Sequence, residues 1–358
     1  VNASPEPWDR RSMLKRTDSA EWLDAEREEL ESLARMGTFR LVNRGQATVR
    51  PIFTKVVYKQ KPERKKARLV ACGFAEEKSP SDHSDVVRLE SIRMLLAKHA
   101  SSEYSIELAD VMNAFCCSDM PEDRPAYIEI PKCMTEIGGV PVTEGMRKSS
   151  VLQLMKGLYG LRRSPALWAG TLEKWLRSVG FDALQADPCV FRRGQLFVAV
   201  YVDDVLACGP TALVHEFMGE LTAAFKCRYY REARTFLGCE ISRNQGTVTM
   251  SQSTYIQSMA ERFLTELDVP VHTPAAMVPL TKREPAEESC DAEVYRSMVG
   301  GLLYASHCTR PDVSFAVMQL ARHVNDPSVA HMRAARRVLS YLPTTTRRGL
   351  AWHADGPS

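Results

Sequence analysis

No run of apolar residues in this 358-residue chain approaches the roughly 18 needed to cross a bilayer, which argues against a membrane-spanning helix. There is no Cys-x-x-Cys pair and no Cys/His group at zinc-finger spacing. The ten cysteines are scattered, mostly inside apolar segments, so buried free thiols in a reducing compartment are expected rather than a disulfide framework. Pro/Gly-rich and repetitive tracts are missing, which excludes low-complexity and fibrous classes. The chain opens at Val1 with neither a start methionine nor a secretory signal, as expected of a processed product or a fragment. Neither sign of charge dominates: the net charge is only +3, so no global polybasic signature exists.

What remains is an ordinary globular composition, 44% hydrophobic and 25% charged, long enough for two or three domains. Its charge is unevenly placed. Lys55, Lys59, Lys61, Arg64, Lys65, Lys66 and Arg68 face the single acid Glu63, and residues 327–352 hold Arg333, Arg336, Arg337, Arg347 and Arg348 with no acid. Two local basic patches in a near-neutral chain suit a phosphate-backbone partner, although either alone also reads as solvated surface.

Periodicity predicts a surface helix from Asp18, with Glu21 completing a capping box and Gly37 as the stop; Trp22, Leu30 and Leu33 form its apolar stripe, and Asp24, Glu26, Glu28, Glu29 and Glu31 its outer face. Strands are expected over 53–59 and 67–74, joined by the basic turn, then a helix over 91–100 and a strand over 104–110 ending on Asp110. Leu167, Trp168, Leu172, Trp175, Leu176 and Val179 predict an amphipathic helix over 165–179. Residues 196–208 read as a buried hairpin with two acids at its tip. A helix over 211–225, a hairpin around 244–246, a linker over 274–292 and mostly helical structure over 293–342 complete the pattern. No clean βαβ repeat appears, so the fold class is α+β.

The tip sequence Tyr201-Val-Asp-Asp204 is the most unusual feature. Adjacent carboxylates between strongly apolar flanks are costly unless something cationic compensates them, whereas an Asp-Asp pair alone also suits a solvated turn. Asp110 lies 93 residues earlier (203 − 110), also at the end of an apolar strand. If those strands are neighbours, three carboxylates converge, enough to hold two Mg²⁺ ions for phosphoryl transfer, with substrate phosphates completing the coordination.

Asp110 with Phe115, the Tyr201–Asp204 tetrad and the segment Leu158-Tyr-Gly-Leu-Arg-Arg-Ser-Pro-Ala-Leu-Trp168 together resemble the reverse transcriptase of copia-type LTR retrotransposons. The likeness continues through Trp22 and 37–42, 66–74, 86–93, 236–238, 251–255, 295–304, 309–312 and 337–342, in order from about residue 20 to 352. It implies a right-hand polymerase: a lead-in segment over 1–45, fingers, palm with an antiparallel sheet, and thumb over 46–270, and a linker and mostly helical post-thumb segment over 271–358. Asp110 and Asp203 become the principal ligands of two Mg²⁺ ions (Mn²⁺ as substitute), with Asp204 assisting. Phe115 falls where the family disfavours ribonucleotides, although an ordinary core aromatic is the plainer reading. Lys66 and Arg68 fall at the triphosphate clamp, and Tyr159 and Gly160 line the nucleotide pocket. Arg162 and Arg163 face the template or merely solvent; Tyr201 also borders template and primer; Phe236, Leu237 and Gly238 form the primer-grip hairpin; Lys226 or Arg228 protonates pyrophosphate.

The implied function is RNA- and DNA-directed DNA polymerisation. The implied partners are an RNA template, a DNA primer or RNA–DNA hybrid, and dNTPs, with no membrane, in cytoplasmic particles with later nuclear access. Val56 stands where the family usually has Trp, the loop 78–85 is short and lacks Phe-Ala-Pro, and Cys116-Cys117 follows Phe115 unexpectedly. These departures keep open a catalytically silent remnant that only binds nucleic acid; a palm-type nucleotide cyclase explains the acids but not the later matches. Asp355 alone cannot build a ribonuclease H site, so no such activity is expected from this chain.

Overall fold

Helical spacing puts Trp22, Glu26, Glu29 and Leu33 on one stripe of the helix Ser19–Arg35, and in a computed structural model of the chain that whole stripe is buried. The structure describes residues 6–244, 246–276 and 279–354; Asp355 therefore lies outside the described residues. The stripe corrects the expected surface helix. Glu26 and Glu29, assigned to the outer face, are only 4% and 9% exposed. Glu26 accepts from Arg10 Nε at 3.0 Å and from the Tyr58 hydroxyl at 2.5 Å, and Glu29 accepts the Leu69 N–H at 3.2 Å. Burial pushes the Glu29 carboxyl above its ordinary range, against the opposing pull of that amide and of Lys66 and Arg68. The expected capping box is absent as well, because Asp18 pairs with Arg16 at 2.7 Å and Lys65 at 2.5 Å instead.

The chain divides into two compact units, each assembled from segments distant in sequence. The first comprises the described residues up to Val86 with Asp110–Arg193 and Leu221–Arg228. Here Thr54–Gln60 and Lys65–Ala71 form the expected basic hairpin, in the register Val57↔Arg68 and Lys59↔Lys66. Strand alternation turns Tyr58, Ala67, Leu69 and Ala71 inward, leaving Lys55, Val57, Lys59, Lys66, Arg68 and Val70 on the outer row. A three-stranded antiparallel sheet, with Ser150–Leu154 between Phe39–Asn43 and Ala126–Ile128, was not foreseen. The helix Ser164–Ser178 buries Trp168, Leu172 and Leu176, and the Phe225 ring meets both Trp168 and Trp175 edge-on.

The second unit comprises Val87–Ala109, Gly194–Glu220 and the described residues from Tyr229 onward. The strand Tyr104–Val111, of which the residues through Ala109 belong to this unit, is the sheet neighbour of Asp204–Pro210, which pairs antiparallel with Leu196–Tyr201. A second sheet follows in the order Thr235–Phe236, Cys239–Asn244, Thr247–Ser251, Leu350–His353; the last strand falls beyond the expected helical stretch. Between Phe263 and Ala292 the described residues hold no helix or strand. The helices Ser253–Phe263, Ala292–Cys308, Ser314–Ala321 and Val329–Thr344 then share one core built on Ile256, Tyr295, Leu302, Val317 and Leu339. All ten cysteines are free. Among the described residues no helix is long and apolar enough to cross a membrane.

Candidate active site

The acid hairpin is fixed from below. Val198, Ala199, Val205, Leu206, Ala207 and Cys208 are fully buried, and the pairs Val200↔Val205 and Tyr201↔Asp204 leave Val202 and Asp203 as a two-residue loop. Val202 sits at φ 54°, a left-handed conformation that costs a β-branched residue ~1–2 kcal/mol. Such strain persists only where the surrounding packing dictates it. Asp203 and Asp204 are half-exposed, and Tyr201 is 36% exposed. The strands are buried as expected but the carboxylates are not, so desolvation is a smaller burden than their apolar flanks suggested.

Asp110, also half-exposed, is the penultimate residue of Tyr104–Val111. The chain leaves that strand through Met112, whose N–H donates to the Lys226 carbonyl at 2.8 Å, and through Asn113 at φ 53°. Nearby, burial pushes the Cys227 thiol up to about 11, with Cys117 and Asp110 adding to the effect. Lys226 and Arg228 themselves are exposed. Among the described residues, no three His, Cys, Asp or Glu side chains are gathered so as to hold a metal on their own. The half-exposed carboxylates of the hairpin tip nevertheless offer the hard oxygen donors that suit Mg²⁺, an ion that keeps several positions for water and substrate phosphate.

In the first unit four expected nucleotide-pocket residues meet. The Arg68 guanidinium lies 5.0 Å from the Tyr159 ring centre, and that ring meets half-exposed Phe115 edge-on at 5.1 Å. Phe115 is thus not simply a core aromatic. Gly160 (φ 86°) follows, and a Cβ there would stand 2.2 Å from the Ala71 carbonyl oxygen. The Ala71 N–H in turn donates to the Tyr159 carbonyl at 2.7 Å, so the basic hairpin and the 159–160 segment are joined backbone to backbone. Lys66 shares the outer row with Arg68; burial holds its ammonium below the usual lysine range, and Arg68 adds to the effect.

The two adjacent arginines part company. Arg162 is half-exposed, donating Nε to the Gly73 carbonyl at 3.0 Å. Arg163 is 7% exposed and committed to the buried carboxylate of Glu76 and the Arg124 carbonyl, which speaks against a template contact. Glu76 also accepts the Arg162 N–H at 2.7 Å. Nothing in the local sequence singles Glu76 out, since its partners lie 86 and 87 residues away.

Phe236 is 1% exposed and faces the core, so of these three residues only Leu237 and Gly238 reach the surface. Both have positive φ, 51° and 71°, forming a two-residue turn between the paired Phe236 and Cys239. Among the described residues the non-glycine positive-φ positions are Asn113, Val202 and Leu237, each beside a candidate segment.

The profile of the family described as Reverse transcriptase (RNA-dependent DNA polymerase) matches residues 36–277. The chain is 32% identical over 383 positions to the Retrovirus-related Pol polyprotein from transposon TNT 1-94 of Nicotiana tabacum, covering 100% of this chain and 28% of that polyprotein. It is 32% identical over 296 positions to the corresponding polyprotein from transposon RE1 of Arabidopsis thaliana (80% of this chain, 19% of the polyprotein), and 31% identical over 295 to that from RE2 of the same plant (80% and 20%). The chain therefore spans less than a third of the length of each of these relatives.

Proposed function

Because the chain belongs to the reverse transcriptase (RNA-dependent DNA polymerase) family, within its copia-type retrotransposon branch, we propose that it extends a primer 3′ end with dNTPs, copying RNA and DNA templates. The observation that carries this reading is the pinned acid hairpin. A strained loop on two strands whose interior residues are buried presents Asp203 and Asp204 as oxygen donors. In this reading the two units divide the work of fingers, palm, thumb and post-thumb segment, and the enzyme works in an intracellular retrotransposon particle.

Asp110, Asp203 and Asp204 would hold two Mg²⁺ ions, with Mn²⁺ as substitute. When bound, the metals lower the pKa of the primer hydroxyl and offset charge on the triphosphate. Lys66 and Arg68, on the outer row of the basic hairpin, form the triphosphate clamp. Phe115 and Tyr159 form a floor for the sugar, crowding a 2′-hydroxyl, and Gly160 leaves the backbone open beside them. Arg162 serves template phosphates, while Arg163 holds the loop in place. Tyr201 and the turn at Leu237 and Gly238 face the primer, and Lys226 or Arg228 is the proton donor to pyrophosphate.

Primer extension on poly(rA)/oligo(dT) with Mg²⁺ tests the proposal. The parent incorporates dTTP, and Asp203→Asn loses at least ~10³-fold in rate, a loss in the range seen when a charge-stabilising group is removed. An inactive parent that still binds hybrid in a salt-dependent way is instead a silent remnant.

A further inference from the structure

The turn at Leu237 and Gly238 is conformationally expensive, since leucine at φ 51° is disfavoured by its own Cβ. Its short side is only the two-residue strand Thr235–Phe236. What holds it is one helix, Ala292–Cys308, in the same unit. The Tyr304 hydroxyl donates to the Leu237 carbonyl oxygen at 2.9 Å. The Tyr304 ring is steadied edge-on by Tyr255 at 4.9 Å, whose own hydroxyl donates to the Gly301 carbonyl at 3.2 Å. One helical turn further on, Cys308 is buried, as is Cys239, the residue that leaves the turn. A Cβ on Gly238 would fall 2.7 Å from the Tyr304 hydroxyl oxygen, so a side chain there is disfavoured by φ and would displace that hydroxyl.

Yet Tyr304 is 37% exposed, and its hydroxyl is not needed to fill a core. In a trans peptide the C=O and the following N–H point in opposite directions. With the Leu237 carbonyl tied to Tyr304, the Gly238 N–H is therefore aimed away from the helix, and Gly238 is exposed. A backbone N–H presented in this way is a donor for a nucleic-acid phosphate.

We propose that Tyr304 is a positioning residue for the primer strand: it fixes the Leu237–Gly238 peptide so that the Gly238 N–H meets a primer phosphate. This rests on the polymerase reading above. Tyr304→Phe removes the donor while keeping the ring against Tyr255. In steady-state extension on poly(rA)/oligo(dT), the variant raises KM for primer–template by about 5–10-fold, one hydrogen bond's worth, with KM for dTTP within about twofold. Gly238→Ala shows the same selective rise. The double variant is less impaired than the product of the two, because the new Cβ no longer meets a hydroxyl.

An unchanged primer–template KM in Tyr304→Phe, equal rises in both KM values, or multiplicative effects in the double variant would overturn the proposal alone. A parent that incorporates nothing, or an Asp203→Asn variant as fast as the parent, overturns the polymerase reading and this proposal with it.

Discussion

The guanidinium of Arg68 lies over the ring of Tyr159, 5.0 Å from its centre, and Phe115 meets the same ring edge-on. A planar cation resting on an aromatic face is held in orientation as well as place, and such contacts contribute about 0.5–2 kcal/mol. Lysine keeps the charge but loses the planar stacking and the fork of donors. Arg68→Lys is therefore expected to raise KM for dTTP about 5-fold or more while leaving hybrid affinity within about twofold, the cost being that of a lost stack. Separate titrations of dTTP and of hybrid measure the two.

Arg162 and Arg163 are adjacent and chemically alike, but their surroundings assign them different work. Arg163 and Glu76 are both buried and paired, so removing either leaves an uncompensated buried charge, at a cost of about 3–5 kcal/mol. Arg163→Ala is expected to lower the thermal midpoint by about 4–7 °C, given that cost and the usual entropy of unfolding. Arg162→Ala leaves the midpoint nearly unchanged and reduces the slope of log affinity against log salt by about one. Calorimetry and a salt titration of hybrid binding separate the two. A large midpoint loss in Arg162→Ala would reverse the assignment.

How far these roles were legible beforehand depends on the range of the interaction. The basic hairpin, the helix Ser164–Ser178 and the acid hairpin declare themselves through periodicity and turn chemistry, which are local. The helix Ser19–Arg35 was found but its buried face was misread. Periodicity places Glu26 and Glu29 on the stripe, while residue type argued for solvent; their partners Arg10, Tyr58 and Leu69 decide the matter and lie elsewhere in the chain. Ala126–Ile128 and Leu350–His353, at three and four residues, carry too little alternation to announce a strand and owe their form to the neighbours they pair with. Glu76 and Tyr304 are of the same kind: each acts on a backbone group fixed by another part of its unit.

Glu240 should contribute to acid sensitivity. Burial alone would raise its pKa, but hydrogen bonds from Thr254, Ser251 and the Ser253 N–H at the start of a helix hold it at about 2, below the ordinary 4.5. Since the folded value lies below the unfolded one, the carboxylate stabilises the fold above pH 4.5, and this contribution fades as pH falls towards 2. Glu240→Gln is expected to have a lower urea midpoint than the parent at pH 7, with the gap narrowing at pH 3. A gap that is constant with pH would show that the ionised form is not what the helix start prefers.

Val202 offers the sharpest separation of stability from chemistry. Glycine at this position removes the Cβ strain of φ 54° but adds freedom to the unfolded chain, two effects of ~1 kcal/mol that oppose one another. The thermal midpoint of Val202→Gly should therefore lie within about 3 °C of the parent. The carboxylates next to it, however, sit on a two-residue loop closed by the pair Tyr201↔Asp204, where a β-branched residue has few alternative conformations. Loosening that loop is expected to lower kcat about 10-fold or more and to raise the Mg²⁺ concentration giving half-maximal rate, because a misplaced ligand costs the transition state more than the ground state. Chelation of Mg²⁺ should abolish incorporation in parent and variant alike, and Mn²⁺ should restore it. A Val202→Gly enzyme with the parent's kcat and Mg²⁺ dependence would mean that the strain at this tip does nothing for the acids beside it.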